Sequence, residues 1–233
     1  MKDILESGFA ELGLNLTDEA AARYETYFEY LEEKNKVINL TAISGRENVA
    51  RLHFLDCAAL LNFAEFKDKR VIDVGTGAGF PGLALKIADP EMKLTLLDSL
   101  NKRIDFLRES CEKMGLTDIE CIHARAEEAP KDFRNAFDIV TSRAVARLNV
   151  LCELCLPFLR ENGVFIAMKG PDCSEELLEA QNAMKLLGAE LDTTKSYNIP
   201  GTDIVHTAVI IRKTKPTHPK YPRKWAQIKK QPL

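Results

Sequence analysis

VIDVGTGAGFPG, residues 71–82, is an apolar run that breaks into glycines and then a proline. A literal G-x-G-x-x-G lies inside it at Gly77, Gly79 and Gly82, the pattern that cradles a dinucleotide's phosphates. The register argues for a different ligand. The apolar strand ends at Val74, so the turn opens at Gly75, and the glycines counted from there are Gly75, Gly77 and Gly79, preceded by Asp73. The third position of the dinucleotide pattern then falls on Phe80, whose ring would block close contact between helix and strand. Pro81 suits a first helical turn, where its missing N–H costs nothing. The stretch predicts a helix starting near Phe80 and a bend wide enough for a nucleoside carrying an amino-acid tail.

Outward from this bend the chain alternates. Short apolar strands are expected at 70–74, 93–98, 118–122, 137–141 and 163–168. Near-continuous apolar runs of this kind suit a parallel sheet buried on both faces. Helical stripes lie between most of them: Ile104, Leu107, Cys111 and Met114, ended by Gly115; Leu151, Leu154, Cys155 and Phe158; and Leu177, Ala180, Met184 and Leu187, capped by Ser174 and stopped by Gly188. The last two strand-like runs, about 190–197 and 204–212, are separated only by NIPGTD, so they must pair antiparallel. The expected fold is α/β: a Rossmann-like doubly wound sheet (67–213) closing on an antiparallel hairpin.

The first 66 residues read instead as a helical extension packed on that core. Thr17 can cap a helix whose buried stripe is Tyr24, Tyr27, Phe28 and Leu31. Ser44 with Glu47 has the spacing of a capping box for a helix running to about Phe63.

The net charge of −3 hides an asymmetry. Residues 1–33 hold nine acids and two bases, whereas residues 212–230 hold eight Lys or Arg and no acid. The tail, 214–233, interleaves basic residues with Tyr221 and Trp225, a composition suited to a phosphate backbone with bases to stack on. No window approaches the ~20 apolar residues of a membrane span, and the acidic start is unlike a signal or transit peptide. Six cysteines without a secretion signal are expected to be reduced thiols in a cytoplasm.

Asp98 ends the second strand 23 residues after Gly75, where a carboxylate can accept both ribose hydroxyls of an adenosine; its other reading is a helix N-cap. Glu127 follows the third strand, where such sheets surround an adenine.

With these residues in hand, the chain resembles the RsmG (GidB) family of bacterial methyltransferases. The resemblance is carried by VIDVGTGAGFPG, LLDSLNKRIDFL (96–107), ARAEE (124–128), FDIVTSRAVA (137–146), KNKVINLTAI (34–43), HFLDCAAL (53–60), MKG (168–170) and YPRK (221–224). Cys57 stands where the family more usually has serine. The resemblance implies a class I S-adenosylmethionine-dependent methyltransferase that modifies N7 of one guanine in 16S ribosomal RNA of the small subunit. It also implies cofactor contacts from Gly75, Phe80, Ala126, Glu127 and Arg143, beside the Asp73, Gly77 and Asp98 read from the strand ends. Arg147, Lys169, Lys220, Arg223 and Lys224 are candidate RNA contacts, and a monomer is expected.

Guanine N7 has a free in-plane lone pair and loses no proton on methylation, so no general base is needed. The absence of a nucleophile–histidine motif fits that chemistry. Cys152 and Cys155 read as core packing, since no second pair completes a metal site; His123, His206 and His218 show no ligand spacing, and His53 reads as a buried hydrogen-bonded residue or as part of the leader's contact with the sheet domain. The alternatives are a methyltransferase for another RNA or a small molecule, a non-catalytic ribosome assembly factor, and an NAD oxidoreductase, the last disfavoured by register and hairpin.

Overall fold

The computed structural model describes residues 1–143 and 145–233. Seven strands form one sheet in the order β3-β2-β1-β4-β5-β7-β6. They are β1 (Arg70–Val74), β2 (Lys93–Asp98), β3 (Ile119–His123), β4 (Phe137–Arg143), β5 (Leu159–Lys169), β6 (Ala189–Asn198) and β7 (Val205–Lys213). The first five are parallel, while β7 runs antiparallel to both β5 and β6. The chain winds outward from β1 to β3, then returns to place β4 on the other side of β1. The reversal opens a crevice at the carboxyl ends of β1 and β4.

Helices cover both faces. One face carries α1 (Lys2–Glu11), α2 (Asp18–Ile38), α3 (Arg46–Val49), α4 (Asp56–Ala58), α5 (Gly82–Ala88) and α6 (Asn101–Lys113) in a single apolar core. The other carries α7 (Leu148–Cys155), α8 (Ser174–Leu187) and α9 (Trp225–Lys230) in a second core. The leader is therefore built into the first core. Thr17 Oγ1 accepts from Ala20 N at 3.1 Å, and the stripe Tyr24, Tyr27, Phe28 and Leu31 is buried. Tyr24 donates to the Ala84 carbonyl at 2.7 Å and Tyr27 to the Ala78 carbonyl. Each large side chain buried this way stabilises by about 2–3 kcal/mol, and each hydroxyl finds a partner.

Several local expectations give way to the structure. Helix α5 starts at Gly82, two residues beyond Phe80. The close approach of helix to strand does occur, at Gly82: a Cβ there would lie 2.7 Å from the Cβ of Asp73 and 2.8 Å from Leu96. Phe80 does not obstruct it, because its ring turns toward the leader and stacks on His53 with centroids 4.2 Å apart. The Ser44–Glu47 capping box does not form. Gly45, at φ +84°, takes the N-cap, and Asn48 bonds the Ser44 carbonyl instead. At α8 the turn-opening side chain is Asp172, which accepts from Ser174 N at 2.9 Å.

The basic tail is folded. Tyr221 and Ile228 sit in the second core, and Arg134 donates to the carbonyls of Tyr221 and Thr217. Arg223 is not free for RNA. Its Nε and Nη2 reach the fully buried Glu153 of α7 at 2.8 and 2.6 Å, and its backbone N–H adds a third bond at 2.8 Å. Removing one partner of a buried pair leaves an uncompensated charge. Arg223→Ala should therefore lower unfolding free energy by about 3 kcal/mol, read as a shifted urea midpoint at unchanged slope. A midpoint like the wild type's would show that the tail contributes nothing to the fold.

Candidate active site

The glycine bend is shaped by backbone bonds before any side chain contributes. Gly75 N and Thr76 N both donate to the Leu97 carbonyl, at 2.8 and 3.1 Å, tying the bend to β2. Gly75, Gly77 and Gly79 have φ of +70°, +61° and +98°, a region in which side chains are strained. The three differ in what a side chain would meet. A Cβ on Gly79 would lie 2.5 Å from the Tyr27 hydroxyl and 2.9 Å from Leu83 and Leu107, so this glycine admits the leader. A Cβ on Gly77 would meet no atom nearer than the Gly75 carbonyl oxygen at 4.0 Å. Gly75 and Gly77 line an open cleft of about 1030 Å³.

Asp73 lies beneath the bend and outside the cleft lining. It is fully buried, accepting from Gly82 N at 2.9 Å and from the Thr141 hydroxyl at 3.0 Å. Burial raises its carboxyl to about 6, against the pull of these bonds. Its place is that of a brace for the bend, which corrects the expectation of a direct cofactor contact. Asp98 does line the cleft. Its Oδ2 accepts from Gly77 N at 2.9 Å and Arg103 Nη1 at 3.3 Å, and its Oδ1 from Leu100 N at 2.9 Å. Three of about four acceptor positions of the carboxylate are thus filled. Room remains for one hydroxyl, where the sequence suggested two; Leu100, not Asp98, is the N-cap of α6.

Ala126 and Glu127 lie in a 3-10 turn, Ala126–Glu128, and are not part of the cleft lining. Glu127 Oε1 is buried without a hydrogen bond among the described residues, and the Arg125 guanidinium lies 3.9 Å from it. Such an acceptor is costly unless a donor reaches it. A buried carboxylate oxygen following β3, with only a distant cation, keeps capacity for a further N–H donor.

The opposite wall comes from parts of the chain far apart in sequence. Between α3 and α4 the leader winds as a π-helix, Ala50–Leu55, a distortion frequent at functional sites. It presents His53 to the end of β4, and Asp56, the first residue of α4, follows it there. Arg143 donates to Asp56 Oδ2 at 3.2 Å and to the Leu52 carbonyl at 3.3 Å, and lies 2.9 Å from His53 Nδ1. Because a guanidinium only donates, His53 Nδ1 must accept, which puts its proton on Nε2, 2.9 Å from the Thr41 hydroxyl. Burial and the neighbouring Arg143 lower His53 to about 3, so it is a neutral ring. The fully buried Asp56 also accepts from the Tyr197 hydroxyl at 2.8 Å and His206 Nδ1 at 2.9 Å. Arg143 thus lies in the cleft wall as expected, but is held by three protein groups.

Among the RNA candidates, Arg147 and Lys169 line the cleft. Arg147 pairs with Glu179 at 2.8 Å and Glu175 at 3.3 Å, and Lys169 with Glu176 at 2.7 Å. Lys220 and Lys224 are exposed on the tail, outside the cleft lining. Cys152 and Cys155 are buried thiols, and no metal-ligand cluster occurs among the described residues.

Comparison with known proteins places this geometry. Solved structures show the fold. A branched-chain polyamine synthase mutein from Thermus thermophilus, in complex with N4-aminopropylspermidine and 5'-methylthioadenosine, superimposes with TM-score 0.60 at 16% identity, over 84% of this chain and 65% of that one. M. jannaschii TYW2 in complex with AdoMet gives 0.52 at 15% identity, over 64% and 70%. Closer in sequence, ribosomal RNA small subunit methyltransferase G of Clostridium perfringens (strain 13 / Type A) is 44% identical over 99% of this chain and 98% of its own. The protein of that name from Alkaliphilus metalliredigens (strain QYMF) is 45% identical over 100% and 98%. The family model GidB, rRNA small subunit methyltransferase G, matches residues 20–205. With a bare bend over the carboxyl ends of the strands and these relatives along its whole length, the chain belongs to the GidB family of rRNA small subunit methyltransferases.

Proposed function

We propose that the protein is an S-adenosylmethionine-dependent methyltransferase that modifies N7 of a guanine in 16S rRNA of the small ribosomal subunit. The observation that carries this reading is the match to methyltransferase G relatives over the full chain. The cleft agrees with it. When bound, S-adenosylmethionine supplies a methyl group already activated on sulfonium. The protein's own work is alignment and exclusion of water. Gly75 and Gly77 leave the bend clear, Asp98 keeps one acceptor position for a ribose hydroxyl, and Glu127 offers the adenine a carboxylate oxygen that makes no hydrogen bond among the described residues. Arg143 stands at the end of β4 for the carboxylate of the amino-acid tail. No side chain need take a proton from N7, in keeping with a His53 that stays neutral and hydrogen-bonded on both nitrogens.

Residues 1–66 with the β6–β7 hairpin then form the acceptor side of the cleft, the rest of 67–213 the cofactor side, and the tail from 214 an outer basic surface. N7 lies on the major-groove edge, which is deep and narrow in duplex RNA, so the target guanine is unpaired or unstacked when methylated. Arg147 and Lys169, exchanging their glutamate partners for phosphate, and the exposed Lys220 and Lys224 hold the backbone. We read the protein as a monomer acting in the cytoplasm, where its substrate is; no helix among the described residues is long and apolar enough to cross a membrane.

The test is methyl transfer from labelled S-adenosylmethionine to small subunits that lack the modification, followed by mass mapping of the rRNA. N7-methylguanosine at one position is expected. Unlabelled rRNA, or label on another atom, overturns the reading. With four phosphate contacts, binding to subunits should weaken roughly 50-fold between 50 and 200 mM salt. An assay insensitive to salt favours a small-molecule acceptor.

A further inference from the structure

The geometry points to His206, held by Asp56, as the group that reads the N1–H edge of the acceptor guanine through its Nε2 lone pair. The inference rests on the guanine-N7 reading above and adds the residue that selects the base.

Four observations converge. His206 lines the cleft on the wall opposite the glycine bend, with its side chain 29% exposed. Its Nδ1 is 2.9 Å from Asp56 Oδ1, and Asp56 already receives Arg143 and the Tyr197 hydroxyl. A carboxylate ringed by donors fixes the tautomer: Nδ1 carries the hydrogen and donates, leaving Nε2 unprotonated in the neutral ring. Nε2 has no protein partner among the described residues. Finally, the ring is clamped edge-to-face by Tyr197, with centroids 6.3 Å apart at 90°. An oriented, partly exposed acceptor on a rigid strand is a reading head for an N–H donor. Cleft-lining Ile204, an exposed apolar side chain, adds surface for a base.

Guanine presents such a donor at N1; adenine has a lone pair there. A site built to accept N1–H therefore rejects adenine by leaving two acceptors face to face. The same contact favours reaction. As the N7 lone pair forms its bond to carbon and the carbon–sulfur bond breaks, sulfonium becomes thioether and the positive charge moves onto the purine. The charge makes N1–H more acidic, so its bond to Nε2 strengthens as the transition state is approached. An interaction stronger in the transition state than in the ground state raises kcat. No proton need leave the base.

A pH dependence follows. The groups facing His206 are Asp56 from the leader, Arg143 from β4 behind Asp56, and Tyr197 from β6. The hydrogen bond to Asp56 raises its pKa above the ordinary histidine value, against burial and Arg143. Once protonated, Nε2 becomes a donor and cannot accept N1–H, so kcat should fall as pH drops through the raised pKa.

The experiment compares wild type, His206→Ala and His206→Gln on unmodified small subunits, with S-adenosylmethionine affinity measured by calorimetry on each. His206→Ala should lose about 10- to 100-fold in kcat, with KM for subunits and cofactor affinity within about twofold of wild type. His206→Gln, whose amide oxygen can accept N1–H but does not titrate, should recover most of that loss and abolish the acid limb of the profile. A kcat for His206→Ala within twofold of wild type overturns the proposal, as does an acid limb surviving unchanged in His206→Gln. Wild-type protein that leaves the subunits unmethylated overturns the guanine-N7 reading itself, and this inference with it.

Discussion

Gly75→Asp is expected to leave S-adenosylmethionine binding undetectable by calorimetry, a loss of more than about 100-fold, or about 2.7 kcal/mol. Two causes add. Gly75 sits at φ +70°, which costs a non-glycine residue about 1 kcal/mol, and a Cβ there would lie 2.6 Å from Val145 Cγ2. Val145 is itself 41% exposed and can turn aside, so sterics alone make Gly75→Ala only a partial lesion. The aspartate adds a carboxylate beside Gly77 and Asp98, in the volume the nucleoside and its tail would fill. The contrast that isolates this cause is Gly79→Ala. There the Cβ meets Tyr27, Leu83 and Leu107, so the fold should lose stability while any folded fraction keeps its cofactor. Unchanged affinity in Gly75→Asp would move the cofactor away from this bend.

The contrast between these glycines also marks what was legible in the sequence. All seven strands fall close to their expected positions, and β1, β2, β4 and β5 do so because buried parallel strands contain nearly unbroken apolar runs. The hairpin was legible from Pro200 and Gly201 at its turn and from the absence of a helix between its strands. Cap assignments fared worse. Ser44 and Ser174 have the right side chains, but Gly45 and Cys173 take the positions, and the difference lies in backbone angles that spacing does not encode. The wall formed by His53, Asp56, Arg143, Tyr197 and His206 was the least legible. Its members come from the leader and three strands, and only the sheet order β4-β5-β7-β6 brings them together. His206 shows no metal-ligand spacing, and its signal lies in tertiary placement. The tail did carry an overlooked sign. Glu153, an acid between Cys152 and Cys155 on an apolar helix, demands a buried cation, and Arg223 is that cation.

Arg143→Ala should reduce methyl transfer about 1000-fold and lower stability by about 3–5 kcal/mol. The two effects share one origin. Arg143 is the guanidinium that compensates Asp56, which is fully buried. Without it, Asp56 keeps only Tyr197 and His206 as donors, His53 loses the partner that sets its tautomer, and Phe80 loses the cation 5.0 Å from its ring centroid. The wall that faces the bend would loosen at the end of β4, where small misplacements of a reacting group are expensive. Arg143→Lys separates charge from geometry. A lysine can neutralise Asp56 and so should restore most of the stability. It lacks the planar fork that reaches Asp56, the Leu52 carbonyl and His53 together, so activity should stay well below wild type. Activity and urea unfolding measured on both variants check this, with turnover assayed well below each unfolding transition. Wild-type turnover in Arg143→Ala would remove the residue from the reaction and leave it a structural ion-pair partner alone.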